Sequence, residues 1–393
     1  MNIEDLLRET FSDMAREEAP PPPERFLPAR RRPRGLALAA AAAVTVLVAG
    51  ATLVIQNGSS RQPEPVAGAS EGPVAEVWPR AVRVVPEKLP NGPAFEPELY
   101  LPDGSLLART GKGDKPVWWS YNLSSGTARR LIDFVPPAKT DYTSTVITGG
   151  GQLLWYTVSW GKIKGALDIW AVSTSGGAAH KVTSFAQTMK YGDISMLTVA
   201  DGKAVWSRGI NGGIYQAPLS GGKPRFVPGT KARHLLQWPW AGITTRRAAD
   251  PSGEPDFQHL VNVLTGERRD AVVKQGEPKW GCSLTWCLTG LNVRHRDGSR
   301  VRALPGGTDW ILSRTPALDR FVVLRQATGD DDARLVLYDL PTGRKGDLGA
   351  RLKKRGKDTA AMMNDAQIDY ETRNLLAYHL DGKQVIVDLT AIK

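Results

Sequence analysis

The chain has 393 residues, more than one ordinary compact domain of about 150 residues unless the fold is a large all-β one. It carries 51 Lys and Arg against 40 Asp and Glu, a formal net charge of +11, and only 2 cysteines. Two cysteines exclude zinc sites of the four-cysteine kind, and acids balance arginines in the first 34 residues, so the excess positive charge lies downstream.

Residues 1–34 are predicted to form a tail that begins with a short amphipathic helix. Apolar side chains recur at spacings of three and four, and Leu7, Phe11 and Met14 lie on the resulting face. Four prolines at positions 20–23 end the helix. A helix this short is marginal in water, so two interpretations remain open. The face either docks on a cytoplasmic regulator or belongs to a disordered tail.

Residues 35–55 are predicted to form a transmembrane signal-anchor helix. These 21 residues carry no charge. At about 1.5 Å per residue they span the roughly 30 Å of a bilayer's hydrocarbon. Four arginines precede the run, and by the positive-inside bias they keep the N-terminus in the cytoplasm and place the rest of the chain outside. These arginines are Arg30, Arg31, Arg32 and Arg34.

A cleaved signal peptide and a soluble helix are the other two interpretations of this apolar run. Signal peptidase reads small residues, and Ala49–Ala51 is such a site. The run continues to Ile55 and a long segment precedes it, which favours an uncleaved anchor. Residues 56–77 are small, polar and rich in Pro and Gly, and are predicted to be a flexible linker. The sequence thus predicts a single-pass protein of the cell membrane.

Residues 78–393 are predicted to be all-β. Short apolar or alternating runs are separated by Gly-containing turns, and six strand–turn–strand units are each preceded by a further hairpin. The turn glycines of these units are spaced 51, 45, 44, 32 and 45 residues apart, and they are Gly126, Gly177, Gly222, Gly266, Gly298 and Gly343. Four strands in about 40 to 45 residues is typical of a β-propeller blade.

The two ends of this region predict a seventh blade. Three strands follow the sixth unit, and a lone strand lies around Ala81 to Val85. Pairing that strand with Gln384 to Leu389 gives the last blade its fourth strand and leaves no open edge between the first and last blades. We therefore predict a seven-bladed propeller of four-stranded blades that follows one transmembrane helix. Six or eight blades remain possible if one unit is misread.

In this architecture the chain resembles actinobacterial-type single-pass membrane proteins with an extracytoplasmic TolB-like or WD-repeat-like propeller. The likeness covers residues 78–393 and rests on no local motif, since no strand ends in Trp-Asp and the sialidase box is absent. The tail and anchor also resemble the layout of membrane proteins that pair with extracytoplasmic-function sigma factors, although the His-x3-Cys-x2-Cys pattern is missing. These resemblances imply a binding or sensor protein of the cell envelope that relays to a cytoplasmic regulator.

The sequence predicts no catalytic, cofactor-binding or metal-binding residue. It contains no nucleophile elbow, phosphate loop, paired-histidine zinc motif or EF-hand loop. The acidic run at positions 330–332 lacks the alternating ligands of a calcium loop and is predicted to be a solvated hairpin tip. Cys282 and Cys287 flank a four-residue turn, where two cysteines face each other at disulfide distance. Two buried thiols are the alternative.

Three tryptophans are the candidate partner-binding residues. Trp160, Trp238 and Trp240 lie near predicted turns, where exposed aromatics stack on sugars or anchor a protein, or else pack internally. The membrane and a protein or cell-wall glycan outside it are the expected partners, and the exported compartment argues against nucleic acid. We therefore favour a binding, scaffold or sensor module over an enzyme. The alternative is a glycoside hydrolase or lyase whose acids converge at the centre of the propeller.

Overall fold

A computed structural model describes most of the chain after residue 70. The described residues are 71–90, 92–111, 115–160, 165–187, 194–209, 212–243, 257–274, 277, 280–290, 292–311, 316–329, 332–354, 362–363, 374–380 and 382–393. The predicted tail face, the arginines before the anchor and the anchor itself lie outside them. Within the described ranges, no helix is long and apolar enough to span a membrane.

The described residues form an all-β, seven-bladed propeller with almost no helix. Before the first blade come β1 (Glu71–Pro73), α1 (Val74–Val77) and β2 (Val82–Val85). Blade 1 consists of β3 (Glu96–Tyr100), β4 (Leu106–Thr110), β5 (Val117–Asn122) and β6 (Thr127–Arg130). The short β7 (Ile132–Asp133) follows blade 1 and joins it to the next blade.

Blades 2 to 4 repeat this order along the chain. Blade 2 contains β8 (Tyr142–Thr143), β9 (Ile147–Gly149), β10 (Gln152–Ser159), β11 (Gly165–Ser173), the short β12 (Gly177–Ala178), which pairs with β7, and β13 (His180–Gln187). Blade 3 contains β14 (Ile194–Ala200), β15 (Lys203–Arg208), β16 (Ile214–Pro218) and β17 (Arg225–Phe226). Blade 4 contains β18 (His234–Gln237), β19 (Trp240–Ile243), β20 (His259–Asn262) and β21 (Arg268–Asp270).

Blades 5 to 7 complete the propeller. Blade 5 contains β22 (Gly281–Cys282), β23 (Trp286–Leu288), β24 (Asn292–His295) and β25 (Arg302–Ala303). Blade 6 contains β26 (Thr308–Ile311), β27 (Phe321–Ala327), β28 (Asp332–Asp339), β29 (Lys345–Lys354) and β30 (Met362–Met363). Blade 7 contains β31 (Leu375–Leu380) and β32 (Lys383–Asp388) together with β2, and a single 3₁₀ turn, Leu389–Ala391, follows.

The predicted closure of the ring is confirmed. β2 lies antiparallel to β32, with Val82 opposite Val387 and Val85 opposite Gln384. A strand from the N-terminal side therefore completes the blade that the C-terminus begins, and the backbone hydrogen bonds of this pair hold the two ends of the ring together. The predicted first strand of blade 7, near residue 367, lies outside the described residues.

The linker predicted over residues 56–77 is too long at its C-terminal end. β1 pairs in parallel with β29 at the outer edge of blade 6, and α1 buries Val74 and Val77 beside Trp78. The Arg344 guanidinium lies 5.7 Å from the centre of the Trp78 ring, and its Nη2 donates a 2.6 Å hydrogen bond to the carbonyl oxygen of Val77. Residues 71–77 thus belong to the folded propeller.

Tryptophans in strands fill the space between blades, as their sequence pattern predicts. Trp118 of blade 1 and Trp155 of blade 2 are fully buried, and their ring centres lie 5.0 Å apart. Trp206 of blade 3 stacks between Phe185 and Tyr215. Each blade is sandwiched between two neighbours, so both faces of its strands carry apolar side chains.

Candidate functional site

A cavity of about 730 Å³ lies at the centre of the propeller, within the range of small-molecule sites. We call the face at which the inner strands begin the front face and the opposite face the rear face. The first strands of blades 1 to 4 supply much of the wall, and β27 and β31 supply another part. Because its wall comes from several blades, the cavity is formed only when the ring is assembled.

The wall of the cavity is apolar with interspersed uncharged polar groups. Among the described residues that line it, none is Asp, Glu, Lys, Arg or His. Its polar side chains are Ser144, Thr145, Thr148, Tyr156, Ser195, Thr198, Gln237 and Asn374. This combination suits a neutral ligand, because a charged ligand would lose its hydration without gaining a counter-charge from these side chains.

A buried carboxylate, outside the cavity, bonds to the backbone of one part of this wall. Glu98 of β3 is 1% exposed, and its Oε1 lies 2.6 Å from Arg109 Nε. Its Oε2 accepts hydrogen bonds of 3.3 Å from Trp118 Nε1 and 3.1 Å from the backbone N–H of Val146, which lines the cavity. Glu98 thereby fixes the inner strand of blade 2 against that of blade 1. The sequence gives no local sign of this role, since its partners are distant in the chain.

A serine–histidine contact lies in the blade 3 and blade 4 part of the wall. The Oγ atom of Ser195 is 2.7 Å from Ser207 Oγ and 3.5 Å from His234 Nδ1. Burial lowers the pKa of His234, so the imidazole is mainly neutral at pH 7. The 3.5 Å separation is longer than the roughly 2.6–3.2 Å expected of a nucleophile and its base. Ser195 thus adds an uncharged polar group to this part of the cavity wall, with the neutral imidazole of His234 beside it.

The three predicted partner-binding tryptophans have different environments. Trp160 follows β10 at the front face and is 46% exposed. Trp238 lies in the turn between β18 and β19 at the rear face, is half-buried and lines the cavity. Trp240 is buried, with the Arg269 guanidinium 4.3 Å from its ring centre. Trp240 is therefore not available to a partner, because its ring packs in an apolar cluster that includes Leu260.

Two tyrosines accompany Trp160 in blade 2, and we call Tyr142, Tyr156 and Trp160 the front-mouth aromatics. The rings of Tyr142 and Tyr156 are 6.1 Å apart, centre to centre, and Tyr156 lines the cavity. Tyr142 is 37% exposed at the beginning of the inner strand. The backbone N–H of Trp160 donates a 2.5 Å hydrogen bond to Asp141 Oδ2, which ties the turn to that strand. Sequence spacing revealed only Trp160 of this set.

The cysteines form a disulfide across the first hairpin of blade 5. Cys282 and Cys287 are opposite each other in β22 and β23, and their Sγ atoms are bonded at 2.04 Å. No cluster of three or more His, Cys, Asp or Glu side chains suited to a metal ion occurs in the ranges given above. Of the predicted acidic hairpin tip, Asp332 begins β28, and positions 330 and 331 lie outside the described residues.

Comparisons with known proteins extend only to the fold. No protein-family model and no curated protein sequence matches the chain. Among solved structures it is similar to the uncharacterized protein lmo1340 from Listeria monocytogenes EGD-e, at 12% identity over 76% of this chain and 93% of that one, with a TM-score of 0.41.

Two other similar structures are a β-propeller domain of a protease and a TolB protein. The β-propeller domain of the Trilobed protease from Pyrococcus furiosus is 13% identical over 65% of this chain and 83% of that one, with a TM-score of 0.42. TolB from Acinetobacter baumannii is 11% identical over 74% of this chain and 62% of that one, with a TM-score of 0.28. At these identities the likeness concerns the fold alone.

Proposed function

We propose that this chain is a membrane-anchored, extracytoplasmic β-propeller that binds a partner in the cell envelope as a scaffold or sensor module. The observation that carries the proposal is the central cavity of about 730 Å³, whose described lining holds no charged side chain. A cavity of this size with a mixed apolar and neutral polar wall is suited to holding a ligand. The uncharged run at 35–55 and the arginines before it support the anchor and its orientation.

The chemistry of the cavity wall favours binding over hydrolysis. A glycoside hydrolase needs two carboxyl groups about 5 to 10 Å apart on either side of the bond it cleaves. The described lining residues include no carboxylate, and Glu98 lies behind the wall in an ion pair with Arg109. Ser195 and His234 lack the short contact of a nucleophile and base.

The cytoplasmic tail gives this binding module a route to a regulator. The predicted helical face of Leu7, Phe11 and Met14 is a docking surface for a cytoplasmic protein such as a sigma factor. Occupancy of the propeller is then relayed through the anchor helix by association, displacement or proteolysis.

Cross-linking in native cells tests the proposal with the full-length chain carrying a C-terminal epitope. We expect external protease to remove the epitope from spheroplasts, and cross-linking to recover an envelope partner together with a cytoplasmic regulator. A matched variant with Leu7→Ser and Phe11→Ser should lose the regulator and retain the envelope partner. Protection of the epitope in intact spheroplasts and its loss only after lysis would place the propeller inside the cell and overturn the proposal.

A further inference from the structure

We infer that the central cavity and the front-mouth aromatics form one binding site for a neutral oligosaccharide. The inference rests on the proposed function and specifies its ligand. Trp160 and Tyr142 are the exposed aromatic residues at the front end of this site, and Tyr156 continues the aromatic surface into the cavity wall.

Strand geometry places the three aromatic residues on one side of blade 2. Tyr142 is directly opposite Val158 in the pairing of β8 with β10. Tyr156 and Trp160 are two residues before and after Val158, and side chains at alternate positions of an extended chain lie on the same face. Tyr156 packs with the apolar cluster between blades 2 and 3, so this face is directed toward blade 3. The aromatic surface therefore leads from the front face along blade 2 to the cavity.

The polar groups of the cavity match the second requirement of a sugar ligand. Thr148, Ser195 and Gln237 are exposed and line the cavity, and Thr198 lines it between them. Their hydroxyl and amide groups both donate and accept hydrogen bonds, as sugar hydroxyls do. A purely apolar ligand would offer none of them a hydrogen bond, and it would cover the Gln237 amide without replacing the water lost there, at a cost of about 1–3 kcal/mol.

Aromatic rings at the mouth and neutral hydrogen-bonding groups in the wall together favour a saccharide. A pyranose ring offers an apolar C–H face for stacking and hydroxyls around its rim, so one ligand satisfies both surfaces. The absence of charge among the described lining residues favours neutral over acidic sugar polymers. An oligosaccharide offers several rings, so that one stacks at the front mouth while another bonds the cavity wall, which favours it over a monosaccharide.

The test is calorimetric titration of the full-length protein in lipid nanodiscs, without sugar-based detergent. Chitohexaose and cellohexaose are the neutral probes, and hexagalacturonate is the acidic probe of equal length. We expect saturable binding of a neutral probe, weakened about tenfold by Trp160→Ala, as for an aromatic anchor. Phe226→Ala is the matched control, because Phe226 is 43% exposed but lies on the outer strand β17. It should leave the affinity unchanged.

Thr198→Val provides a second variant inside the cavity, since it removes a hydroxyl and preserves the shape of the side chain. It should weaken binding of the same probe while leaving the fold intact by circular dichroism. No binding of either neutral probe, tighter binding of hexagalacturonate, or equal effects of Trp160→Ala and Phe226→Ala would each overturn the inference.

Failure of this inference is distinguishable from failure of the proposed function. Recovery of an envelope partner from spheroplasts without any oligosaccharide binding would overturn only the saccharide site. Oligosaccharide binding by a protein whose C-terminal epitope is protected in intact spheroplasts would overturn the envelope function and retain the site.

Discussion

The interface between blades 2 and 3 and the interface between blades 4 and 5 are built from different chemistry. Between blades 2 and 3, a continuous apolar cluster surrounds the nearly parallel rings of Phe185 and Trp206, whose centres are 5.6 Å apart. Blades 4 and 5 instead meet through two small clusters, one of Ala271, Trp280 and the two disulfide cysteines and one in which Leu284 of blade 5 packs against blade 4. A buried arginine completes that second interface.

Arg296 is this arginine, and it joins blade 4 to blade 5 through main-chain carbonyl groups. Its side chain is buried, and its two terminal nitrogens donate four hydrogen bonds of 2.6 to 3.0 Å. Three acceptors belong to blade 4 or the segment just before β20, and the fourth is Ser283 of blade 5. One guanidinium group thus bonds four carbonyl groups, three of them just beyond the ends of strands and the fourth, that of Arg269, within β21.

Strand length explains the contrast between the two interfaces. β10, β11 and β13 of blade 2 have 8, 9 and 8 residues, whereas the strands of blade 5 have 2 to 4. A short strand presents only one or two side chains to each neighbour, so little apolar area is available. Directional hydrogen bonds and a covalent cross-link take over where apolar burial is small.

The largest expected effect is at the aromatic interface. Trp206→Ala should lower the free energy of unfolding by about 3–5 kcal/mol, because it opens a cavity between Phe185 and Tyr215. Urea unfolding followed by circular dichroism measures the loss. Trp160→Ala is the control, and its exposed ring should cost much less. Equal losses for the two variants would contradict the role given to the blade 2 and blade 3 cluster.

The corresponding change at the polar interface is Arg296→Met. It retains most of the apolar stem and removes four hydrogen bonds to carbonyl oxygens, so we expect a loss of about 3 kcal/mol in urea unfolding. The Gln258 carbonyl keeps its bond from the backbone N–H of Ala271. Arg268→Met is the matched control on the exposed strand β21 and should stay within about 0.5 kcal/mol of the parent protein. An unchanged free energy of unfolding in Arg296→Met would show that the small apolar clusters alone hold blades 4 and 5 together.

The disulfide should contribute somewhat less, because it closes a short loop. Six residues from Cys282 to Cys287 correspond to about 2 kcal/mol in the chain-entropy account. Incubation with dithiothreitol, or the double change Cys282→Ser and Cys287→Ser, should lower the free energy of unfolding by this amount and shift the urea midpoint downward. The double serine variant should then be insensitive to dithiothreitol. An unchanged urea midpoint after complete reduction would show that the disulfide does not stabilise blade 5.

The smallest expected effect is the pH dependence of the N-terminal docked segment. Lys345 Nζ lies 2.8 Å from Glu71 Oε2, and hydrogen bonds from Lys345 and Arg334 hold the pKa of Glu71 below its ordinary value of 4.5. A carboxylate with a depressed pKa stabilises the fold above its ordinary pKa, and this stabilisation is lost as pH falls through the folded-state value.

Hydrogen exchange of the β1 amides measures this effect at neutral pH and near pH 3, with intrinsic exchange rates corrected at each pH. Protection of β1 should fall at the lower pH in the parent protein, and Glu71→Gln should reduce the change. Glu76→Gln, an exposed site on the same segment, is the control and should retain the parent's pH dependence. The same loss of protection in Glu71→Gln and the parent would assign the effect to another group.

Much of the fold could be predicted from the sequence, because it rests on local and repeated signals. Turn glycines such as Gly177 and Gly222 each mark one blade, and short continuous apolar runs indicate strands that are buried on both faces. Closure of the ring could be predicted because the strand at residues 82–85 has no partner near it in the sequence. The docking of residues 71–77 could not be predicted, because a four-residue helix within a Pro/Gly-rich stretch gains its stability only from partners such as Arg344.

The candidate site was less predictable because its residues meet only in the closed ring. Both Trp160 and Trp240 were predicted to be accessible from their positions near turns. Trp160 is exposed, whereas Trp240 is buried, because strand register sets its side of the sheet. Glu98 is unremarkable in its strand and acquires its role from Arg109 and the Val146 amide. The neutral cavity wall draws on strands from several blades, and no local motif reports such an assembly.

The docking of β1 on blade 6 has a mechanical consequence for the propeller. A pull on the chain preceding Glu71 first loads the pairing of β1 with β29, along the direction of the strand. Its hydrogen bonds carry that load together, with α1 and Trp78 packed behind them. Only when this pairing gives way does the pull reach β2, which closes the ring. The docked segment therefore protects the closing strand pair from force applied to the N-terminal chain.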